Sequence, residues 1–181
     1  PLTACDRYSH YVIGCHGCAN QQFKGTLRVN KKLMRHHGKP EVIRVDNGTP
    51  FASNALGGLS MLSIWWIEQG IRVEFMTPAS PHENGSHERM HRDLKAEATQ
   101  PPSRNLSAQK KRFERWRHEY NYDRPHEALD MLRPAEIYHK SSRRLGEKYK
   151  MLYPNDYEVK RVSQSGHISH QGKNLYMSEI F

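Results

Sequence analysis

From Leu2 to Thr99 the hydrophobic pattern switches repeatedly between a period of two and a period of 3.6, and that alternation holds the chain to an α/β architecture. Residues 2–5 and 11–15 are short, apolar and β-prone, and Asp6-Arg7-Tyr8-Ser9-His10 between them reads as a hairpin turn. Residues 20–37 read as a helix with Phe23, Leu27 and Met34 inward, ended by Gly38-Lys39-Pro40. A strand over 41–45 is broken by Asp46-Asn47-Gly48. Ser53 or Asn54 can cap the next helix, which carries Leu56, Leu59, Leu62, Trp66 and Ile67 to Gly70. A strand follows over 71–76.

Asn84-Gly85 is a loop signal, and a helix is predicted from there to about Thr99. At about 100° per residue, Glu88, His91, Arg92 and Lys95 fall on one side, and Met90, Leu94 and Ala98 on the other. One face can pack on a core while the other sets a carboxylate among cations, which suits a metal ion beside a polyanion. The bland alternative is the solvated face of an amphipathic helix. His87-Glu88-Arg89-Met90-His91 also fits H-E-x-x-H, in which two histidines bind zinc and the glutamate acts as base. Arg89, Arg92, Asp93 and Lys95 are out of place on a helix buried behind zinc, and no H-x-x-G-x-x-H continuation follows. A zinc peptidase ranks last among the readings.

Gln100-Pro101-Pro102 ends that helix. A basic helix is predicted over 107–122, with Lys110, Lys111, Arg112, Arg115 and Arg117 against Glu114. Phe113, Trp116 and Tyr120 give it an inner face, so its cations should point outward, along a phosphate track. Arg124-Pro125-His126 stops it, and Pro134 suits the first position of a short helix to about His139. The whole chain carries 28 Lys+Arg against 19 Asp+Glu, a net +9, which makes a nucleic acid the expected partner. Residues 140–152 read as a basic linker. Strands predicted over 157–162, 166–170 and 174–178 read as the start of a small β-barrel, with a tight turn at Gln171-Gly172.

Cys5, Cys15 and Cys18 form no disulfide framework, so a reducing cytoplasm is expected. Cys15-His16-Gly17-Cys18 has half the spacing of a zinc site, yet Cys5 and Cys15 read as small core residues on strands. No apolar run approaches a membrane span, and membrane attachment is not expected. Pro1 opens directly on a strand and Glu179-Ile180-Phe181 closes on apolar residues, so both ends are read as cut from something longer.

Four segments carry a resemblance to a known family. They are Asp6-Arg7-Tyr8-Ser9-His10-Tyr11, Ile43-Arg44-Val45-Asp46-Asn47-Gly48-Thr49-Pro50-Phe51, Asn84 to Lys95, and Tyr120-Asn121-Tyr122-Asp123-Arg124-Pro125-His126-Glu127-Ala128-Leu129. Together they resemble the retroviral-integrase-like catalytic core of bacterial insertion-sequence transposases, especially the long-spacing IS481-type branch. The resemblance implies an RNase H-like α/β fold over residues 1–139, in which the strands near 2–5, 11–15, 41–45 and 71–76 share one mixed sheet flanked by helices, with 153–181 similar to the β-rich tail of such transposases. It implies a two-metal site for Mg²⁺ or Mn²⁺, with Asp46 and Glu88 as catalytic metal ligands and Asn47 and Gly48 shaping the loop around Asp46. Two such ions stabilise the attacking and leaving oxygens of an in-line displacement at phosphorus.

Arg92, Lys95, Lys110, Lys111, Arg112 and Arg115 are then expected to bind DNA, both transposon ends and target, in a homodimer or higher oligomer. The family's first catalytic aspartate belongs on a strand upstream of the one that opens this chain. Asp6 matches the hairpin aspartate instead, and His10 stands where the family has Arg. Metal-dependent DNA strand transfer is the leading function, and a folded but inactive remnant is its close variant. A non-catalytic nucleic-acid-binding protein on the same fold is the alternative.

Overall fold

The computed structural model describes residues 1–18, 22–53, 58–76, 85–146, 149 and 152–178. Readings that fall on Asn20, Asn54, Leu56 and Asn84 lie outside the described residues. The chain divides into two compact units, Pro1–Gly38 with Ala79–Ser142 and Lys39–Pro78 with Arg143–Phe181.

In the first unit, β1 (Leu2–Cys5) pairs antiparallel with β2 (Val12–His16), Leu2 opposite His16, with a bulge between Ala4 and Cys5. The turn between them is built by Asp6, whose Oδ2 accepts from Ser9 N at 2.8 Å and Ser9 Oγ at 2.6 Å. That is the local bonding for which aspartate favours turns. Helix α1 (Phe23–His37) carries Arg35 in its last turn, where the helix dipole favours a cation. Its buried residues are Thr26, Met34 and His37; Phe23 and Leu27, expected inward, are only half-buried. Gly38 ends the helix at φ +82°, and a Cβ there would stand 2.1 Å from the Ser141 carbonyl oxygen.

Helix α3 (Gly85–Leu94) continues into a π-helical turn, Lys95–Thr99, and α4 (Leu106–His118) into another, Glu119–Asp123. Between them lies the core: Val12 and Cys15 from β2, Met90, Leu94 and Ala98 from α3 and its extension, and Phe113, Trp116 and Tyr120 from α4 and its extension. Removing each large side chain from water contributes about 1.5–3 kcal/mol, enough to hold two helices on a hairpin too short to stand alone. Asn121 closes the assembly. Its Oδ1 accepts from Val12 N at 2.8 Å and its Nδ2 donates to Val12 O at 3.0 Å, so a side chain pairs with β2 as a strand would. Helix α5 (Pro134–Ile137) starts on proline, as its sequence predicts.

In the second unit, β3 (Val42–Val45) pairs parallel with β4 (Arg72–Phe75), and α2 (Met61–Glu68) lies in the crossover. The α2 cap is Ser60, in a reciprocal capping box with Ser63. Ser53, expected as the cap, instead donates to the Leu59 carbonyl just before the helix. The expected single sheet is not formed by ladder hydrogen bonds: the described strands make separate two-stranded pairs, β1–β2, β3–β4 and β5–β6. Each described strand has ladder bonds to one neighbour only.

Residues 140–143 do not behave as a free linker. Within the first unit Ser141 N donates to His37 O at 2.9 Å. Within the second, the Arg143 guanidinium donates to the Pro40 and Gly70 carbonyls at 2.6 Å each. β5 (His167–His170) and β6 (Lys173–Tyr176) form an antiparallel hairpin through Gln171 and Gly172, both at positive φ. The strand expected over 157–162 is absent. Lys160 there spends its ammonium on the Ser169 carbonyl and Glu158, and no ladder bond joins the segment to the hairpin. No helix among the described residues is long and apolar enough to cross a membrane.

Candidate functional site

Helix α3 is two-faced, as its sequence predicts. Met90, Leu94 and Ala98 are 1%, 2% and 1% exposed, whereas Glu88, His91, Arg92 and Lys95 face solvent. The exposed face is held in place from both sides. Thr3 Oγ1 on β1 lies 2.7 Å from His91 Nε2. Behind the helix, the Glu97 carboxylate accepts from Trp116 Nε1 at 2.7 Å and Arg124 Nη2 at 2.7 Å. The Arg124 hydrogen bond, more than any other influence, holds the Glu97 carboxyl below the usual carboxylate range.

Arg112 completes this lock. Its guanidinium donates to the carbonyls of Glu97 (2.8 Å), Gln100 (3.0 Å) and Pro101 (2.6 Å). It caps the end of the α3 extension, where carbonyls have no helical partner and the dipole is negative. That use could not be read from the charge pattern, which groups Arg112 with its neighbours. Lys110, Lys111 and Arg115 are exposed on α4, while Phe113, Trp116 and Tyr120 are buried.

Asp46 follows β3 in the second unit and is exposed. Its Oδ1 accepts from Gly48 N at 3.0 Å, and a Cβ on Gly48 would stand 3.1 Å from that oxygen. Asn47 Nδ2 donates to the Met76 carbonyl at 2.9 Å, tying the loop to the end of β4. Asp46 belongs to the second unit and Glu88 to the first. Both offer exposed carboxylate oxygens, the donor type that Mg²⁺ and Mn²⁺ prefer. Among the described residues no three His, Cys, Asp or Glu side chains gather as a metal-holding group. The donors therefore fit a divalent cation in kind but not in number.

The His87 and His91 rings lie 4.4 Å apart, with the His91 Nε2 atom at Thr3. The Cys15 thiol is buried in the core, and burial pushes it up to about 12. Cys5 is likewise pushed up to about 12 by burial. Two residues escaped sequence reasoning, Glu97 and Asn121. The available signal was position: Asn121 falls on the apolar side of its helix between two tyrosines, where a polar group must be bonded.

The integrase core domain family matches residues 69–134, from the approach to β4 through α3 and α4 to the start of α5. The chain is 27% identical over 111 residues to the "Insertion element IS407 uncharacterized 31.7 kDa protein" of Burkholderia multivorans. That alignment takes in 61% of this chain and 38% of the relative. Among solved structures it is similar to a chain of the simian T-cell lymphotropic virus intasome in complex with PP2A regulatory subunit B56 gamma. The TM-score is 0.61 at 17% identity, over 96% of this chain and 58% of that one. The chain thus spans well under two thirds of the length of either. Residues 69–134 thus match an integrase core domain, a part of an insertion-element protein is similar in sequence, and the fold is of the RNase H-like α/β class.

Proposed function

We propose that this chain serves DNA integration or transposition as part of a metal-dependent strand-transfer core. The observation that carries the proposal is the α3 face. A helix fixed by Thr3, Glu97 and Arg112 presents Glu88, Arg92 and Lys95 to solvent from a buried apolar back. Asp46 and Glu88 are the assigned ligands for Mg²⁺ or Mn²⁺. Such ions, when bound, stabilise the charge that develops on the phosphate oxygens. Gly48 N orients one Asp46 oxygen, and Asn47 anchors the loop that carries it.

The phosphate track is assigned to Arg92, Lys95 and Lys110. Arg112 is engaged with carbonyls, and Lys111 and Arg115 share their stripe with Glu119 and Asp123. Binding of a short duplex by the chain, followed by fluorescence anisotropy across a salt series, tests the track. Lys95→Gln should weaken binding about equally for unrelated sequences and reduce the log–log salt slope by about 0.9. An unchanged slope removes Lys95 from the interface, and no salt-sensitive binding by the parent chain removes the function.

A further inference from the structure

The loop after β3 sets an asparagine directly before a glycine, Asn47-Gly48, and both residues are exposed. In such a pair the backbone nitrogen of the glycine can attack the asparagine side chain, because no Cβ shields that nitrogen. In the folded chain both reacting groups are engaged. The nucleophile, Gly48 N, donates to Asp46 Oδ1 at 3.0 Å. The side-chain amide under attack is tied by its Nδ2 to the Met76 carbonyl at 2.9 Å. Any other residue at 48 would set a Cβ 3.1 Å from Asp46 Oδ1, so the latch and the reactive pair both depend on glycine there. Asp46, Asn47, Gly48 and Thr49 are all exposed, and both hydrogen bonds lie at the surface. Bonds of this kind open locally far more readily than the fold does.

We propose that Asn47 is a site of spontaneous deamidation, held in check by the hydrogen bond from Gly48 N to Asp46. When that bond opens, Gly48 N gives up its proton and attacks Asn47 Cγ. A new N–Cγ bond forms and the Cγ–Nδ2 bond breaks. Nδ2 takes up one proton, replacing the one lost from Gly48 N, and leaves as ammonia. The five-membered succinimide then adds one water. Opening at the former side-chain carbonyl gives aspartate at position 47, and opening at the backbone carbonyl gives the isoaspartyl linkage. No oxidant or reductant is needed. Either product replaces an amide that ties this loop to the end of β4 with a carboxyl group one residue from Asp46. An acceptor-only carboxylate cannot donate to the Met76 carbonyl, so the tether is lost as the charge is gained. The inference rests on the hydrogen bonds of the loop and not on the assignment of Asp46 to a metal.

Peptide mapping by mass spectrometry of the 181-residue chain, aged in mildly alkaline buffer, tests it. The conversion of amide to acid at position 47 is followed over time, folded and in urea. Asn84-Gly85, the same pair elsewhere in the sequence, is the internal reference for the unfolded rate. In urea, positions 47 and 84 should react at similar rates, and Gly48→Ala should suppress the reaction at 47. In the folded parent, position 47 should react about tenfold or more slowly than in urea, and Asp46→Ala should restore about tenfold of that loss. Asp46→Asn, which keeps an acceptor oxygen, should stay closer to the parent than to Asp46→Ala. Circular dichroism of each variant checks that it is folded. Equal folded rates for the parent and Asp46→Ala overturn the proposal. So does a folded Asp46→Ala or Asp46→Asn chain that shows no conversion at 47 by the time the sample in urea has fully reacted, or a folded Asp46→Asn chain that reacts as fast as Asp46→Ala.

Discussion

Single side chains replace missing backbone partners in this protein. Asn121 is fully buried and serves both polar groups of Val12, the first residue of β2. An amide presents a carbonyl and an N–H in the same spacing as a peptide, which neither Asp nor Leu can do. Asn121→Ala leaves the buried Val12 N–H unpaired and its carbonyl with only the longer Arg117 bond at 3.4 Å, and should cost about 1–3 kcal/mol in urea unfolding. A loss below about 0.5 kcal/mol, within the range of an ordinary surface change, would show that β2 does not depend on the clamp. Gly48 is a second such case, since a side chain there would crowd the Asp46 carboxylate.

At the scale of elements, the apolar contact between α3 and α4 is backed by the Glu97 lock. Widened π-helical turns at the ends of both helices bring Glu97, Trp116 and Arg124 together. The Glu97 carboxyl lies below its ordinary value in the folded chain. Its contribution is therefore present above the unfolded carboxylate value and lost as the pH falls through the folded one. Thermal melts should show Glu97→Gln less stable than the parent near about pH 7, with the gap closing towards about pH 3. A gap independent of pH would mean that the shape of Glu97, not its charge, holds the lock.

For the whole molecule, the net charge of +9 favours a polyanionic partner, while the divalent metal proposed at Asp46 and Glu88 depends on only two carboxylates. Mn²⁺ titration followed by water proton relaxation measures that site without any turnover. Asp46→Asn and Glu88→Gln should each reduce the enhancement seen with the parent chain. Enhancement unaffected by either variant would place the metal elsewhere.

Much of this arrangement is local and so legible in the chain. Hydrophobic period marks β1 to β4 and α1 to α4, Gly38 stops α1, Pro134 starts α5, and the two faces of α3 follow from spacing alone. These depend on neighbours within a few residues, and the chain order contains them. Sheet membership does not, because ladder pairing joins residues far apart in sequence; one expected sheet became separate pairs. The employment of cations does not either. Arg112 and Arg115 are indistinguishable in a charge pattern, yet one faces carbonyls of the α3 extension and the other faces solvent. Which cation is structural and which is free to meet a partner is decided by what stands opposite it, and only the tertiary fold puts anything there.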